Sequence, residues 1–345
     1  MQQLSSEAGE SFRKRLVATA KGSHGARDMN REQAREALAF LMSAEAHPVQ
    51  VGAFLTAMRF KGSRVEEMKG FLDAMESSAT LISPKVDGLL NCNGPYDGRK
   101  KSLHLSLAAA IVVAAAGVPV IMHSSTGLPP KDGVTTARLL EALGIPAYRE
   151  PAQVAQDIEN KGFGHLHASR YLHGVERLKP IRQTLFYRSF LHACEVMLNP
   201  GDADFSLIGA AHKSFLQRFA TAMGERGPAR VMAVQGLDGC DELPLQPVAV
   251  AEYCNGELTE YTLDPADYGF SYQKHHPSES PEKTARIVEK ILTGRESSLA
   301  DSVIYNAGVR LFLSDRAESI ALGVEQAREL LDSGTAGEKM RVLQH

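Results

Sequence analysis

The sequence is sparing in cysteine. Cys92, Cys194, Cys240 and Cys254 are the only four in 345 residues, and no two stand in C-x-x-C spacing. That argues against the common zinc and dithiol patterns, and with no secretory leader evident it predicts reduced thiols in a cytoplasmic protein. Charge of one sign is also lacking: 38 Lys and Arg against 41 Asp and Glu give a net charge of −3. There is no global basic field, so any contact with nucleic acid must come from a local cluster or a dimer groove. A membrane-length apolar run is missing too. The stretch Leu105–Met122 is interrupted by Ser106, Gly117 and Pro119, and reads as a helix over about 106–116 followed by a strand over 118–122. No low-complexity linker or internal repeat stands out. What is present is 43% hydrophobic residues, enough for a core in one large or two modest domains.

The N-terminal part reads as helices. Asn30 with Gln33, and Ser63 with Glu66, look like capping boxes ahead of apolar positions at helical spacing, and His47-Pro48 separates two such stretches. Residues 1–85 are therefore expected to form a small helical bundle, with a returning helical segment at about 170–195. Beyond Pro84, short apolar strands alternate with helices: 88–92, 118–122, 205–209 and 230–235 as strands, 106–116, 133–143 and 213–227 as helices. This predicts an α/β domain over 86–169 and 196–345 with a parallel or mixed central sheet flanked by helices. Asn255-Gly256, between two alternating stretches, predicts a hairpin. The tail from Pro281 is mostly helical, with Asn306–Leu313 apolar enough to be buried.

The segment Asn93-Gly94-Pro95-Tyr96-Asp97-Gly98-Arg99-Lys100-Lys101 joins a glycine-punctuated turn to three consecutive cations, just before the helix that opens at Ser106. Free backbone N–H groups and the positive end of a helix dipole suit an anion, so the segment is a candidate phosphate-facing loop. An Asp-Gly turn with surface cations is also how an ordinary solvated loop reads. Downstream, Asp241-Glu242 places two hard oxygen ligands side by side, a pattern suited to Mg²⁺ and equally to a solvated acidic loop.

Several segments, taken in order, resemble the anthranilate phosphoribosyltransferase family, within the glycosyltransferase family 3 and nucleoside phosphorylase fold. They are Val49–Gly62, Ser106-Leu107-Ala108-Ala109-Ala110 running to Gly117-Val118-Pro119-Val120, Leu139–Gly144, Asn199-Pro200, Leu207-Ile208-Gly209, and Gly236-Leu237-Asp238-Gly239-Cys240-Asp241-Glu242. The resemblance implies a helical domain hinged to a larger α/β domain, a homodimer made through the helical domain, and an active site in the cleft. There phosphoribosyl pyrophosphate binds with Mg²⁺. It assigns Ser106, Asp241 and Glu242 to the metal, His173 and Arg182 to the acceptor, and Gly94, Asp97, Gly98, Arg99, Lys100, Lys101, Ser106, His123 and Lys131 to the donor phosphates.

The sequence departs from the family in the donor loop. The family's Gly-Thr-Gly-Gly-Asp-Gly corresponds here to residues 93–98, where Pro95 offers no N–H and Tyr96 adds a ring. The family's Lys-His-Gly-Asn-Arg is Met122-His123-Ser124-Ser125-Thr126, so a phosphate-binding lysine and the Asn-Arg pair are gone. The functional expectation is an enzyme: Mg²⁺-dependent pentosyl transfer from phosphoribosyl pyrophosphate, or a related sugar phosphate, to an aromatic amine or base. The loop changes weigh against anthranilate itself as acceptor. They resemble a divergent branch of the family with nucleic-acid-binding members. The alternative is therefore a homodimer holding DNA or RNA through Arg59, Lys61, Arg64, Arg99, Lys100 and Lys101. A nucleoside phosphorylase is the third reading.

Overall fold

The computed structural model describes residues 6–22, 25–94, 96–295 and 298–345. Four helices open the chain: α1 (Glu7–Thr19), α2 (Arg31–Met42), α3 (Pro48–Lys61) and α4 (Val65–Ser77). The capping box at Asn30 forms as read, with the Asn30 side chain accepting from Gln33 N at 2.8 Å and Gln33 returning the bond to Asn30 N at 3.1 Å. The second box is one residue later than the sequence suggests. Arg64 is the N-cap, and Glu67 rather than Glu66 reaches back to its N–H. The shift has a physical cause. Glu67 is fully buried and also serves Met29 N and Lys61 Nζ, whereas Ser63 Oγ is left without a partner.

Seven strands make one sheet: β1 (Leu90–Cys92), β2 (Val120–Ser124), β3 (Phe163–His167), β4 (Phe205–Ala210), β5 (Arg230–Gln235), β6 (Val248–Cys254) and β7 (Glu257–Leu263). Their order is β3-β2-β1-β4-β5-β6-β7, with β1 to β5 parallel and β6 and β7 antiparallel. The parallel strands are covered on both faces, which is why β2 and β3 are buried along their whole length. The β6–β7 hairpin turns at Asn255 and Gly256, both at positive φ (50° and 86°), as a two-residue primed turn requires. Helix α5 (Ser106–Ala115) is buried on all sides, and its alanines let the helices Ala300–Leu313 and Thr335–Gln344 approach it closely.

The α/β architecture with an N-terminal helical bundle is as expected. One apolar cluster fills the face of the sheet under α5 and the C-terminal helices. The other runs without a break from the bundle (Phe12, Phe54, Phe71) through Phe190 and Leu191 to the opposite face of the sheet at Ile121, Ile208 and Val231. Phe190 packs on Phe71 with ring centroids 4.2 Å apart and the rings tilted by 30°, which ties the returning segment to the bundle. That segment is not one helix but four short ones between Ala168 and Val196, broken where Pro180 starts a new turn and where Phe186 adopts a left-handed conformation (φ 52°). The helix Pro151–Lys161 and β3 have no counterpart in the sequence reading. Phe-Gly-His-Leu-His lacks both the β-branched residues and the alternation that mark a strand.

Chain order reverses on either side of β1: β2 lies to one side and β4 to the other. Ligands of open α/β sheets sit beyond the carboxyl ends of the strands at such a point. The loop after β1 and the loop after β5, carrying residues 93–105 and 236–247, meet there.

Candidate functional site

The carboxylate pair after β5 is the centre of the crevice. Asp241 and Glu242 are 0% and 2% exposed, and each carries an internal cation. Ser106 Oγ donates to the Asp241 carboxylate at 2.7 and 2.8 Å, and Arg310 Nη2 lies 2.7 Å from Asp241 Oδ2. Arg99 Nη1 lies 2.5 Å from Glu242 Oε2. Both guanidiniums are buried, which by itself loosens their protons, but the surrounding groups (Cys240 and Glu242 around Arg99, Asp241 and Cys92 around Arg310) outweigh burial and raise both pKa values. The structure therefore brings Ser106 against Asp241, with Glu242 next in the chain, and adds two arginines. Arg310 was not foreseen. A signal existed, since a charge inside the buried run 306–313 requires a partner.

The donor loop is closed on itself. Asp238 Oδ2 accepts from Lys101 N, Ser102 N and Ser102 Oγ at 3.0, 3.2 and 2.9 Å, so a carboxylate already occupies the N–H groups expected to face phosphate. Gly98 (φ 74°) packs so tightly that a Cβ would stand 2.5 Å from the Gly133 backbone. Gly94 is buried against Cys240 and His104. Asp97 is fully buried, with Arg188 at 3.3 Å and Lys131 at 3.6 Å; burial raises its pKa against the pull of these two cations. Lys131 Nζ also donates to Asp238 O at 2.8 Å and Gly98 O at 3.2 Å. The inference drawn from Pro95 lies outside the described residues.

His123 does not face a phosphate. It is buried, with Nδ1 2.6 Å from Tyr96 Oη and Nε2 3.1 Å from Leu198 O, and burial drives its pKa down to about 3. Tyr96 is buried as well and shares its hydroxyl with Tyr171 at 2.5 Å. Nor is Arg182 free for an acceptor carboxylate. It makes a two-point ion pair with Glu195, both groups being buried, and its Nη2 lies 3.4 Å from His192 Nδ1. His173 is exposed at the start of a short helix. Of the six cations assigned to nucleic acid, Arg99 belongs to Glu242, and Lys61, with a side chain 5% exposed, belongs to Glu67 and Asp28. Lys100, Lys101, Arg59 and Arg64 remain at the surface.

Beside this packed crevice, a cleft of about 740 Å³ opens between the bundle and the sheet. Its lining includes Phe60, Phe186, Tyr187, Phe215 and Phe219, together with Arg59 and Arg188. Phe60 and Phe186 are 82% and 74% exposed. Arg59 lies over the Tyr187 ring at 5.1 Å and Arg218 over Phe215 at 4.8 Å. Aromatic faces with arginines beside them suit a flat anionic ligand.

A helical bundle set against a mixed sheet, with a cleft between them and acidic and basic loops at the switch point, is the architecture of the pentosyltransferases. The chain belongs to the glycosyl transferase family: its helical bundle domain matches residues 17–79 and its a/b domain residues 97–337. Anthranilate phosphoribosyltransferase of Methanocorpusculum labreanum is 34% identical, covering 92% of this chain and 93% of its own length. That of Methylobacterium radiotolerans is 33% identical, covering 95% and 94%. The crystal structure of the Thermus thermophilus enzyme superposes with a TM-score of 0.84 at 28% identity, over 97% of this chain and 98% of that one. The Saccharomyces cerevisiae enzyme in complex with phosphoribosyl pyrophosphate and Mg shares the fold (TM-score 0.82, 20% identity, 97% of each chain). The expectation of an anthranilate phosphoribosyltransferase-like pentosyltransferase agrees with these relatives, and the objection to anthranilate as acceptor finds no support in them. No helix among the described residues is long and apolar enough to cross a membrane.

Proposed function

We propose that the chain transfers a pentosyl group in the cleft between bundle and sheet, from phosphoribosyl pyrophosphate or a related sugar phosphate to an aromatic amine or base. The observation that carries this reading is the aromatic cleft with Arg188 in its wall, a cation that shares buried Asp97 with Lys131. As the bond to the ribosyl carbon breaks, positive charge grows on the sugar and negative charge on the departing pyrophosphate. Fixed cations at the pyrophosphate position favour that separation, and an aromatic wall orients the acceptor. Arg188 and Lys131 now share Asp97. A pyrophosphate, with more charge than one carboxylate, competes for them.

The residues present do not fit a magnesium ion. Asp241 and Glu242, the two carboxylates that would hold it, are already paired with the buried guanidiniums of Arg310 and Arg99. Calorimetry with phosphoribosyl pyrophosphate, followed by a chromatographic assay for ribosylated anthranilate, tests the reading. Absence of heat at millimolar donor would sink it. Arg188→Ala is expected to weaken donor binding by about 10- to 100-fold, the loss of one charged hydrogen bond of ~1.5–3 kcal/mol.

A second reading, a single strand of nucleic acid in the same cleft, is favoured by the exposed rings of Phe60 and Phe186 in a lining that includes Arg59. It requires binding that weakens steeply with salt, and salt-independent binding in a gel-shift titration excludes it. In either reading the chain pairs as a homodimer through the bundle, where Val17 of α1 and Val49 of α3 are exposed on helices that pack together.

A further inference from the structure

We infer that Arg310 and Arg99 do for Asp241 and Glu242 what a divalent cation would otherwise do, so that this carboxylate pair is built to work without metal. Four observations converge. Each carboxylate has a guanidinium within 2.7 Å, and all four charged groups are at most 2% exposed. Ser106 Oγ lies within hydrogen-bond distance of both oxygens of Asp241, at 2.8 and 2.7 Å, so the serine hydroxyl is engaged by the same carboxylate. Arg310 is itself fixed, Nη1 donating to Asn306 O at 2.8 Å, while Asn306 pairs with the Leu243 backbone in both directions at 2.8 Å. Arg99 is fixed likewise by Ser102 Oγ at 2.8 Å and by backbone pairing with Val134.

A metal ion prefers oxygen ligands that remain open to its water or to substrate phosphate. Here it would have to expel two buried guanidiniums, each of which would then lie uncompensated in the interior. The arginines thus hold helix 300–313 and the donor loop to the loop after β5, whether or not a ligand is present. The consequence is that an anion entering the cleft meets Arg188 directly, with no metal bridge to the Asp241–Glu242 pair. The inference stands apart from the transferase reading, because it concerns metal binding alone.

Electron paramagnetic resonance decides it. Free Mn²⁺ is measured in titrations of the wild-type protein, Asp241→Asn and Glu242→Gln, with and without phosphoribosyl pyrophosphate. The expected result is the same free Mn²⁺ signal for all three proteins, up to about 1 mM, the weak end of oxygen-ligand sites. If the wild type depletes free Mn²⁺ and either variant does not, the inference is overturned. Circular dichroism confirms that each variant is folded. Two variants are named because Asp241→Asn leaves Arg310 buried without its charge partner; should it fail to fold, Glu242→Gln alone makes the comparison. Failure of the donor to bind would refute the transferase reading and leave the metal titration without donor untouched.

Discussion

At the scale of single residues, the crevice is held by buried ion pairs rather than left open. Removing one member of such a pair strands the other. Arg310→Met is therefore expected to destabilise the protein by about 3–5 kcal/mol, while Asp241→Leu with Arg310→Met recovers much of that loss. Urea denaturation of the wild type, both single variants and the double variant measures the coupling; strict additivity would refute it. The sequence disclosed Asp241, Glu242 and Ser106, because adjacent carboxylates in a recognisable motif are visible as text. It did not disclose what faces them. Arg310 is 204 residues from Ser106 along the chain, and Arg99 is 143 from Glu242. Arg99 read as one of three surface cations and became the buried partner of Glu242, while its neighbours Lys100 and Lys101 stayed in solvent.

At the scale of elements, close backbone approach sets the limits. Gly70 of α4 lies against α2 so tightly that a Cβ would stand 2.1 Å from Arg31 O. Gly70→Ala is expected to cost about 1–3 kcal/mol through forced separation of the two helices, read from the urea midpoint. Gly98 combines a left-handed φ of 74° with the same kind of contact at Gly133. Gly98→Ala is expected to lose at least about 1–2 kcal/mol and to loosen the donor loop, seen as faster amide exchange at Lys101 and Ser102. Most elements were legible from periodicity, caps and turn residues: α2, α5, the strands β4 and β5, and the hairpin at Asn255-Gly256. Those that were not, β3 and the broken helices of 168–196, depend on neighbours for their form. Phe186 at φ 52° is the plainest case, since no sequence rule places a phenylalanine there.

For the whole molecule, burial of uncharged histidines predicts how stability responds to acid. Burial lowers the pKa of His123 and His165 to about 3, while the unfolded chain protonates each near its ordinary value of 6.5. Between those values the unfolded state binds more protons, so stability is fully present above about pH 6.5 and falls as pH drops toward 3. The slope is up to about 1.4 kcal/mol per pH unit for each histidine. Thermal melts from pH 7.5 to 4 measure this, and a flat profile below pH 6.5 would contradict it. His123 sits between sheet and returning segment, bonded to Tyr96, Tyr171 and Leu198, so acid is expected to act where the two layers join.

The sequence by itself determined the fold. Its apolar periodicity, turn residues and ordered motifs act locally or repeat along the chain, so a helical bundle, a mixed sheet and membership of the family follow from them. It also located the loops that matter. Only the tertiary structure decided what state those loops are in, because charge pairing in a buried site depends on which side chain folding brings opposite. Through that pairing Asp241 and Glu242 meet guanidiniums, Arg182 meets Glu195, and Asp238 occupies the amides of the donor loop.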